Sequence, residues 1–175
     1  MALDTALGFC SNSEPAPPLS NPLFVENRMP RGTFFSDFEV GHAYTSQGRT
    51  ITETDVVMFA GLSGDYNPLH TDQTFAEKTP FGQRIAHGML VSAISTGQGQ
   101  TLGIFEGTTL ALMEQTFQYK APVFFGDTVR LRLTVESTKA SSKGGKGVVV
   151  FRSDILKQDD VIVNTGTWTV LFRDR

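Results

Sequence analysis

The residues best suited to chemistry in this sequence lie in a short segment, residues 63–70. Asp65 and His70 stand five positions apart there, with Asn67-Pro68 between them. This pair favours a rigid turn, because proline restricts its own φ and disfavours helical geometry in the residue before it. A histidine titrates near neutral pH, and a carboxylate can accept a proton or orient water. The pattern therefore indicates a general acid–base pair that holds one water molecule.

The same segment has a purely structural interpretation. Asp and Asn side chains often bond to nearby backbone, glycine adopts positive φ, and proline stiffens a loop. His70 could be a hydrogen-bonded structural histidine. On composition alone this interpretation is at least as well supported as the catalytic one.

A second histidine, His87, precedes Gly88 at the start of an apolar stretch, residues 89–97. The stretch lacks a charged face, which predicts a helix buried on most sides. A glycine at the N-terminus of a helix exposes a backbone N–H with the helix dipole behind it, and such a group can stabilise a developing oxyanion. A plain helix start is the alternative, and it is favoured for this pair taken alone.

Two short helices are predicted on either side of the Asp65–His70 segment. Thr52, with Asp55 three positions on, resembles a capping box, and Gly64 ends the helix that follows. Asp72 is a suitable cap for the second short helix. These elements would hold the segment from both ends.

After residue 107 the hydrophobic pattern changes to a period of two, as in residues 129–136, which indicates antiparallel strands with one buried face. Strands are predicted over 109–119, 129–136, 148–155 and 161–172, with turns at 141–147 and 159–160. An entry strand, or a short turn followed by a strand, is expected near 34–44. The sequence thus predicts the α+β class: helices first, then a four-strand antiparallel meander, with one buried helix packed against one curved sheet.

Length and charge limit the function. The chain has 175 residues and a net charge of −3, the size of one domain. The charge argues against bulk electrostatic binding to nucleic acid or to an anionic membrane. Residues 1–30, rich in turn residues and proline, are predicted to be a flexible arm, and residues 31–175 the folded domain.

Cysteine and histidine content limit the site types. Cys10 is the only cysteine, which excludes an intrachain disulfide framework and a Cys-rich zinc site. The three histidines are scattered, so no metal site is expected. No stretch approaches the ~18 apolar residues of a membrane-spanning helix. The expected location is the cytoplasm.

Residues 59–76 resemble the hydratase motif of the MaoC-like, (R)-specific enoyl-CoA hydratase family. The family pattern is an aromatic residue, small residues, Gly-Asp-x-Asn-Pro-hydrophobic-His, and a small residue six positions on. The matching residues are Gly64, Asp65, Asn67, Pro68, Leu69, His70 and Ala76. Residues 87–90 and 117–127 also resemble the family, and the likeness extends over about residues 34–172. A long motif with two further segments in order is far more specific than a short pattern.

The resemblance implies a hotdog fold, in which a curved antiparallel sheet wraps a long central helix and two copies pair through sheet edges. It implies Asp65 and His70 as the catalytic pair: water adds to C3 of a trans-2-enoyl-CoA, and a proton reaches C2. The N–H of Gly88 would bind the thioester carbonyl. No cofactor is expected, since CoA is part of the substrate. The expected partners are an acyl-CoA and a second copy of the chain, as a homodimer or a higher homo-oligomer.

Four residues are expected to contact substrate: Ser63, Asn67, His87 and Thr96. Each has a structural alternative, namely a turn residue for Ser63, loop support for Asn67, a helix start for His87 and bonding to the preceding helical turn for Thr96. Which basic residues bind the CoA phosphates is left open, and so is the acyl chain. A polar residue inside the acyl tunnel would favour dicarboxylic substrates.

Two other functions are compatible with the same fold. Hotdog thioesterases place an acidic residue on the central helix, whereas residues 89–102 contain no Asp or Glu. A non-catalytic acyl-CoA-binding subunit would be expected to have lost the acid or the base. Both features favour the hydratase, although fold alone does not decide function.

Overall fold

The computed structural model describes residues 32–175, so the arm predicted for residues 1–30 lies outside the described residues. A 3₁₀ turn, Phe35–Asp37, comes first. The helices are α1 Glu53–Ser63, α2 Pro68–Thr71, α3 Gln73–Ala76 and α4 Gly88–Thr101. The strands are β1 Ala43–Thr45, β2 Arg49–Thr50, β3 Thr109–Gln115, β4 Gln118–Tyr119, β5 Thr128–Ala140, β6 Lys146–Lys157 and β7 Ile162–Arg173. None of the helices in this part of the chain is long and apolar enough to span a membrane.

The strands form one seven-stranded antiparallel sheet in the order β1-β5-β6-β7-β3, with β2 added to β5 and β4 to β7. The four-strand meander was wrong in one respect. β3 precedes β5 in the chain but pairs with β7 at the opposite edge, where Gln115 faces Trp168. Alternating polarity identifies a strand without naming its partner, and the loop after β4 is long enough to cross the sheet.

The core lies between α4 and one face of the sheet. The inward residues of β5, from Val129 to Val135, are almost completely buried, as expected from their alternation. On α4, seven of the fourteen residues are buried, which confirms the predicted helix without a charged face. The helix lies close to the sheet at Gly99, because a Cβ there would lie 2.9 Å from the Trp168 ring. Each fully buried aliphatic side chain in such a core contributes about 1.5–3 kcal/mol.

Local capping fixes the segments around the Asp65–His70 turn. Thr52 and Asp55 form the predicted capping box at the start of α1, and Gly64 ends that helix in the left-handed region at φ 77°. Asp72 accepts the N–H of Phe75 and caps α3 as predicted. The turn is therefore held between two helix ends whose positions the sequence specifies locally.

Candidate active site

The turn that carries Asp65 is built from side chain to backbone hydrogen bonds. Ser63 Oγ donates to the carbonyl of Phe59 at 2.7 Å and accepts the N–H of Asp65 at 3.2 Å. Asp65 Oδ1 accepts the N–H of Asn67 at 3.2 Å, and Asn67 Oδ1 accepts the N–H of Leu69 at 3.0 Å. Ser63 and Asn67 thus shape the turn, and neither lines the main cavity described below.

His70 is oriented by the chain that leads to α4. Its Nδ1 lies 2.8 Å from the carbonyl oxygen of Ile85. A carbonyl can only accept, so the hydrogen is assigned to Nδ1 and the lone pair of the neutral ring to Nε2. Burial lowers the pKa of His70, and the nearby His87 acts in the same direction, while the Ile85 bond and Asp65 oppose them. The geometry therefore favours a neutral imidazole that can act as a base.

His87 connects the turn to the start of α4. It is 2% exposed and occupies the N-cap position, and its Nε2 lies 2.9 Å from the carbonyl oxygen of Asp65. Its ring packs on that of His70 with a centroid separation of 3.8 Å and an interplanar angle of 33°. The Nε2 hydrogen must be donated to the carbonyl, and the buried Nδ1 has no partner within residues 32–175. His87 thus fixes the main chain of Asp65 and covers one face of His70.

These contacts bring the predicted pair together. A carboxylate oxygen of Asp65 and one ring nitrogen each of His70 and His87 lie within 4.8 Å of one another. A single water molecule at hydrogen-bond distance from two such groups fits this separation. The arrangement can hold a water and remove its proton.

Gly88 is the first residue of α4, directly beside the histidine pair. The N–H groups of a first helical turn have no acceptor within the helix, and the dipole makes them suitable donors to an anion. A Cβ at this position would lie 2.7 Å from Cε1 of Tyr119. The close approach of β4 therefore requires glycine at the helix start.

One cavity of about 490 Å³ contains all four of these groups: Asp65, His70, His87 and Gly88. The remaining wall is largely apolar, with Phe59, Phe81 and Met89 among its residues. Ligand cavities commonly combine such an apolar wall with a few convergent polar groups. The cavity has the size and lining to admit an acyl thioester.

The structure does not bring Thr96 to this cavity. Its Oγ1 donates to the carbonyl of Ala93 at 2.7 Å, the back-bonding that the sequence left open as an alternative. Thr96 lines a second cavity of about 190 Å³ together with Leu112 and Trp168. A direct role for Thr96 would need substrate to reach that cavity.

Three polar residues at the main cavity were missed by sequence reasoning. Tyr119 and Asn164 line it, and Ser92 lies behind them on α4, where its Oγ is 3.1 Å from Asn164 Nδ2 and 3.4 Å from the Tyr119 hydroxyl. One signal was available, because Asn164 is a polar residue in an otherwise apolar inward series on β7. No local motif marks Tyr119, whose position depends on the pairing of β4 with β7.

The fold overturns the premise that the histidines are scattered, since two of the three are stacked beside Asp65. Each of these rings uses one nitrogen on a backbone carbonyl. One nitrogen of each ring and the Asp65 carboxylate are left as possible ligands, and such a ligand set would bind zinc only with a tetrahedral arrangement. The expectation of no metal stays a prediction.

Known proteins resemble both the sequence and the fold. Residues 37–172 match the family model described as "MaoC like domain". The chain is 37% identical over 139 residues to the (R)-specific enoyl-CoA hydratase of Rhodospirillum rubrum, which covers 79% of this chain and 90% of that protein. It is 40% identical over 106 residues to the 3-hydroxybutyryl-CoA dehydratase of Methylorubrum extorquens, which covers 60% of this chain and 65% of that protein.

The fold also matches solved structures. A Mycobacterium tuberculosis protein described as having a double hotdog fold superposes with a TM-score of 0.71 at 20% identity, over 82% of this chain and 45% of that one. At this identity the likeness concerns the fold alone. The hotdog fold expected from the sequence is confirmed.

Proposed function

The chain belongs to the MaoC-like domain family, and from this premise we propose that it catalyses the reversible addition of water to the 2,3 double bond of an enoyl-CoA. The product is a 3-hydroxyacyl-CoA. One observation carries the proposal: Asp65, His70 and the N-terminal residue of α4 lie together on the wall of one cavity large enough for an acyl group. The catalytic domain in this proposal is residues 31–175.

In the proposed mechanism a water molecule lies between the Asp65 carboxylate and Nε2 of His70. Asp65 orients the water, and His70, neutral and held through Nδ1, takes one of its protons. The water oxygen bonds to C3, the electron pair of the double bond moves towards the thioester carbonyl, and a proton is delivered to C2. The dehydration direction reverses these steps.

Negative charge grows on the thioester oxygen as the C3–O bond forms. The N–H of Gly88, at the positive end of α4, is proposed to bind that oxygen. Because the charge is larger in the transition state than in the ground state, this hydrogen bond accelerates the reaction rather than merely tightening binding. Loss of one such donor typically costs about 3 kcal/mol of transition-state stabilisation.

We assign supporting roles to the residues around the pair. Ser63 and Asn67 hold the turn, and His87 positions both catalytic side chains through the Asp65 carbonyl and the His70 ring. Substrate contact by Thr96 stays a prediction, tied to the second cavity. No cofactor takes part in these steps, since CoA is the carrier of the substrate.

Two features of the whole protein complete the proposal. We propose that it acts as a homodimer formed through the β3 edge of the sheet, where apolar side chains are exposed. We also propose that it works in the cytoplasm on acyl-CoA thioesters.

The function is tested by replacing each member of the pair. Asp65→Asn and His70→Ala are each expected to lower kcat for crotonyl-CoA hydration by about 10²–10⁴-fold, the usual contribution of a positioned acid or base. The readout is the loss of enoyl-thioester absorbance. Asp159→Asn and His42→Ala are matched controls, because both side chains are exposed and neither lines the cavity.

The possible results separate the three functions. Parent rates in both cavity variants would contradict the mechanism. Release of free CoA thiol without a hydroxyacyl product would identify a thioesterase. Tight binding of enoyl-CoA without turnover would identify a binding subunit.

A further inference from the structure

The wall of the main cavity formed by the sheet contains a buried amide, Asn164 on β7. The residue is 2% exposed, and the positions that follow it on the same face of the strand, Trp168, Val170 and Phe172, are buried in the apolar core. Its Cα partner on the neighbouring strand is Tyr119. A valine would fit this position without hydrogen-bonding needs, so the presence of an amide calls for an explanation.

The orientation of this amide is fixed by the hydroxyl of Ser92. Ser92 Oγ donates its only hydrogen to the carbonyl of Gly88 at 3.2 Å, so it must accept from Nδ2 of Asn164 at 3.1 Å. The amide oxygen therefore points away from Ser92. An amide has two N–H donors and a carbonyl acceptor, and the bond to Ser92 uses one donor.

The second N–H and the amide oxygen of Asn164 make no hydrogen bond to any other group within residues 32–175. The bond to Ser92 is the single hydrogen bond of this side chain there. Leaving buried polar groups unpaired is costly, unless water or a ligand in an adjoining cavity pairs with them. Asn164 lines the cavity that also holds Asp65 and His70. A molecule in that cavity is thus in reach of both the catalytic turn and the amide.

The surroundings of the amide are also polar. The Tyr119 hydroxyl lies 3.4 Å from Ser92 Oγ, and Lys120, the next residue of the chain, contributes to the same wall. The Lys120 ammonium lies 2.8 Å from Oε1 of Gln118 at the exposed edge of the site. One side of an otherwise apolar cavity therefore offers a fixed donor and acceptor with a cation nearby.

We propose that Asn164 selects enoyl-CoA substrates whose acyl chain carries an oxygen function, a hydroxyl or a carboxylate, over plain hydrocarbon chains. The free N–H donates to either group, and the amide oxygen accepts from a hydroxyl. The inference rests on the proposed hydratase function and narrows its substrate class. A hydrocarbon chain would leave the amide unpaired and bind less well.

The test compares three substrates of equal length: trans-2-hexenoyl-CoA, its 6-hydroxy derivative and its ω-carboxylate, with crotonyl-CoA as the short reference. For the full-length protein we expect kcat/KM about tenfold higher for at least one oxygenated substrate than for hexenoyl-CoA. Asn164→Val should lower that ratio to about one. Thr169→Val is the matched control, because it makes the same type of change on the opposite face of β7 and should keep the parent ratio.

Comparison of the hydroxy and carboxylate substrates shows which oxygen group Asn164 prefers. If the carboxylate is preferred, Lys120→Met should lower its kcat/KM and leave that of the hydroxyl substrate unchanged. The inference is overturned if the parent protein prefers hexenoyl-CoA, or if Asn164→Val keeps the parent ratio. Failure of the parent protein to hydrate any substrate, crotonyl-CoA included, would instead overturn the proposed function, and the inference with it.

Discussion

At the residue scale, His70 and His87 differ in which ring nitrogen forms a hydrogen bond to a backbone carbonyl. His70 donates from Nδ1 to Ile85, whereas His87 donates from Nε2 to Asp65. The lone pair of His70 is therefore on Nε2, while that of His87 is on a buried Nδ1 without a partner among residues 32–175. The first ring is suited to proton transfer and the second to holding the main chain.

The pH dependence of kcat/KM should report the base. Burial lowers the pKa of His70 below its ordinary value of 6.5. The proposed mechanism needs the neutral His70 ring. The value of kcat/KM should therefore be at its maximum above pH 6.5 and should fall only as the pH drops through the lowered pKa of His70. We expect the acidic limb of the kcat/KM profile to have its midpoint below pH 6.5. A midpoint above 6.5 would contradict the assignment of His70 as the base in this environment.

His87→Phe separates positioning from substrate binding. The phenyl ring keeps the contact with the His70 ring but removes the hydrogen bond to the Asp65 carbonyl, so the main chain of Asp65 loses that anchor. We expect kcat to fall about tenfold with little change in KM, the loss of one hydrogen bond to the turn. Melting temperature should change little, since the buried unpaired Nδ1 is removed as well. A rise in KM at constant kcat would instead support the direct substrate contact predicted from the sequence.

The sequence predicts those parts of the site whose residues are close together in the chain, and not those that only strand pairing brings together. Asp65 and His70 lie five positions apart, in the turn after α1 and on α2, so one contiguous motif contains both, and its resemblance to the family pattern favoured the catalytic interpretation. Tyr119 and Asn164 meet only because β4 pairs with β7. The polar residue in the apolar series of β7 could have marked Asn164, but no pattern within either strand contains its pairing with Tyr119.

At the element scale, the glycines of α4 differ in how closely other residues pack against them. A Cβ at Gly88 would lie 2.7 Å from the Tyr119 ring, and one at Gly99 would lie 2.9 Å from the Trp168 ring, whereas one at Gly97 would meet nothing within 4 Å. The same substitution should therefore have opposite effects within one helix. Each glycine reports what packs against its own face.

Alanine substitution at these three positions tests the packing of α4. Gly97→Ala should stabilise the protein by about 0.5–1 kcal/mol, the difference in helix propensity, and keep the parent activity. Gly99→Ala should lower the melting temperature, because the Trp168 ring must move within the core. Gly88→Ala should lower kcat at least tenfold through displacement of Tyr119 and the helix start. Thermal unfolding and crotonyl-CoA hydration measure all three, and equal effects at Gly97 and Gly99 would contradict the packing described.

Elements with local signals were predicted well. The capping box of Thr52 and Asp55 and the alternation of β5 were both found in the structure. The stretch 109–119 was predicted as one strand, but it is divided into β3 and β4 at residues 116–117. The break sits where Gly166 of β7 approaches, since a Cβ there would lie 1.8 Å from the Thr116 carbonyl oxygen. Contacts between distant strands of this kind leave no mark in the broken strand itself.

At the scale of the whole molecule, the two edges of the sheet differ. One edge consists of β1 and β2, which have three and two residues, while the other consists of the seven-residue β3 and the two-residue β4. Leu110, Leu112 and Met113 of β3 are at least half exposed. A long apolar edge strand is a template for pairing with another chain, and soluble proteins normally cover or charge such an edge. A second copy of the same chain would cover it symmetrically.

The proposed dimer predicts a mass of about twice 19.1 kDa in sedimentation equilibrium at micromolar concentration. Met113→Lys places a charge on the exposed edge and should shift the protein towards monomer, because lysine opposes edge pairing. Val161→Lys is the matched control, since it replaces another exposed apolar residue in the turn between β6 and β7 and should leave the mass unchanged. A monomeric parent protein, or equal masses for the two lysine variants, would contradict pairing through β3. The edge would then need a different partner to account for its apolar surface.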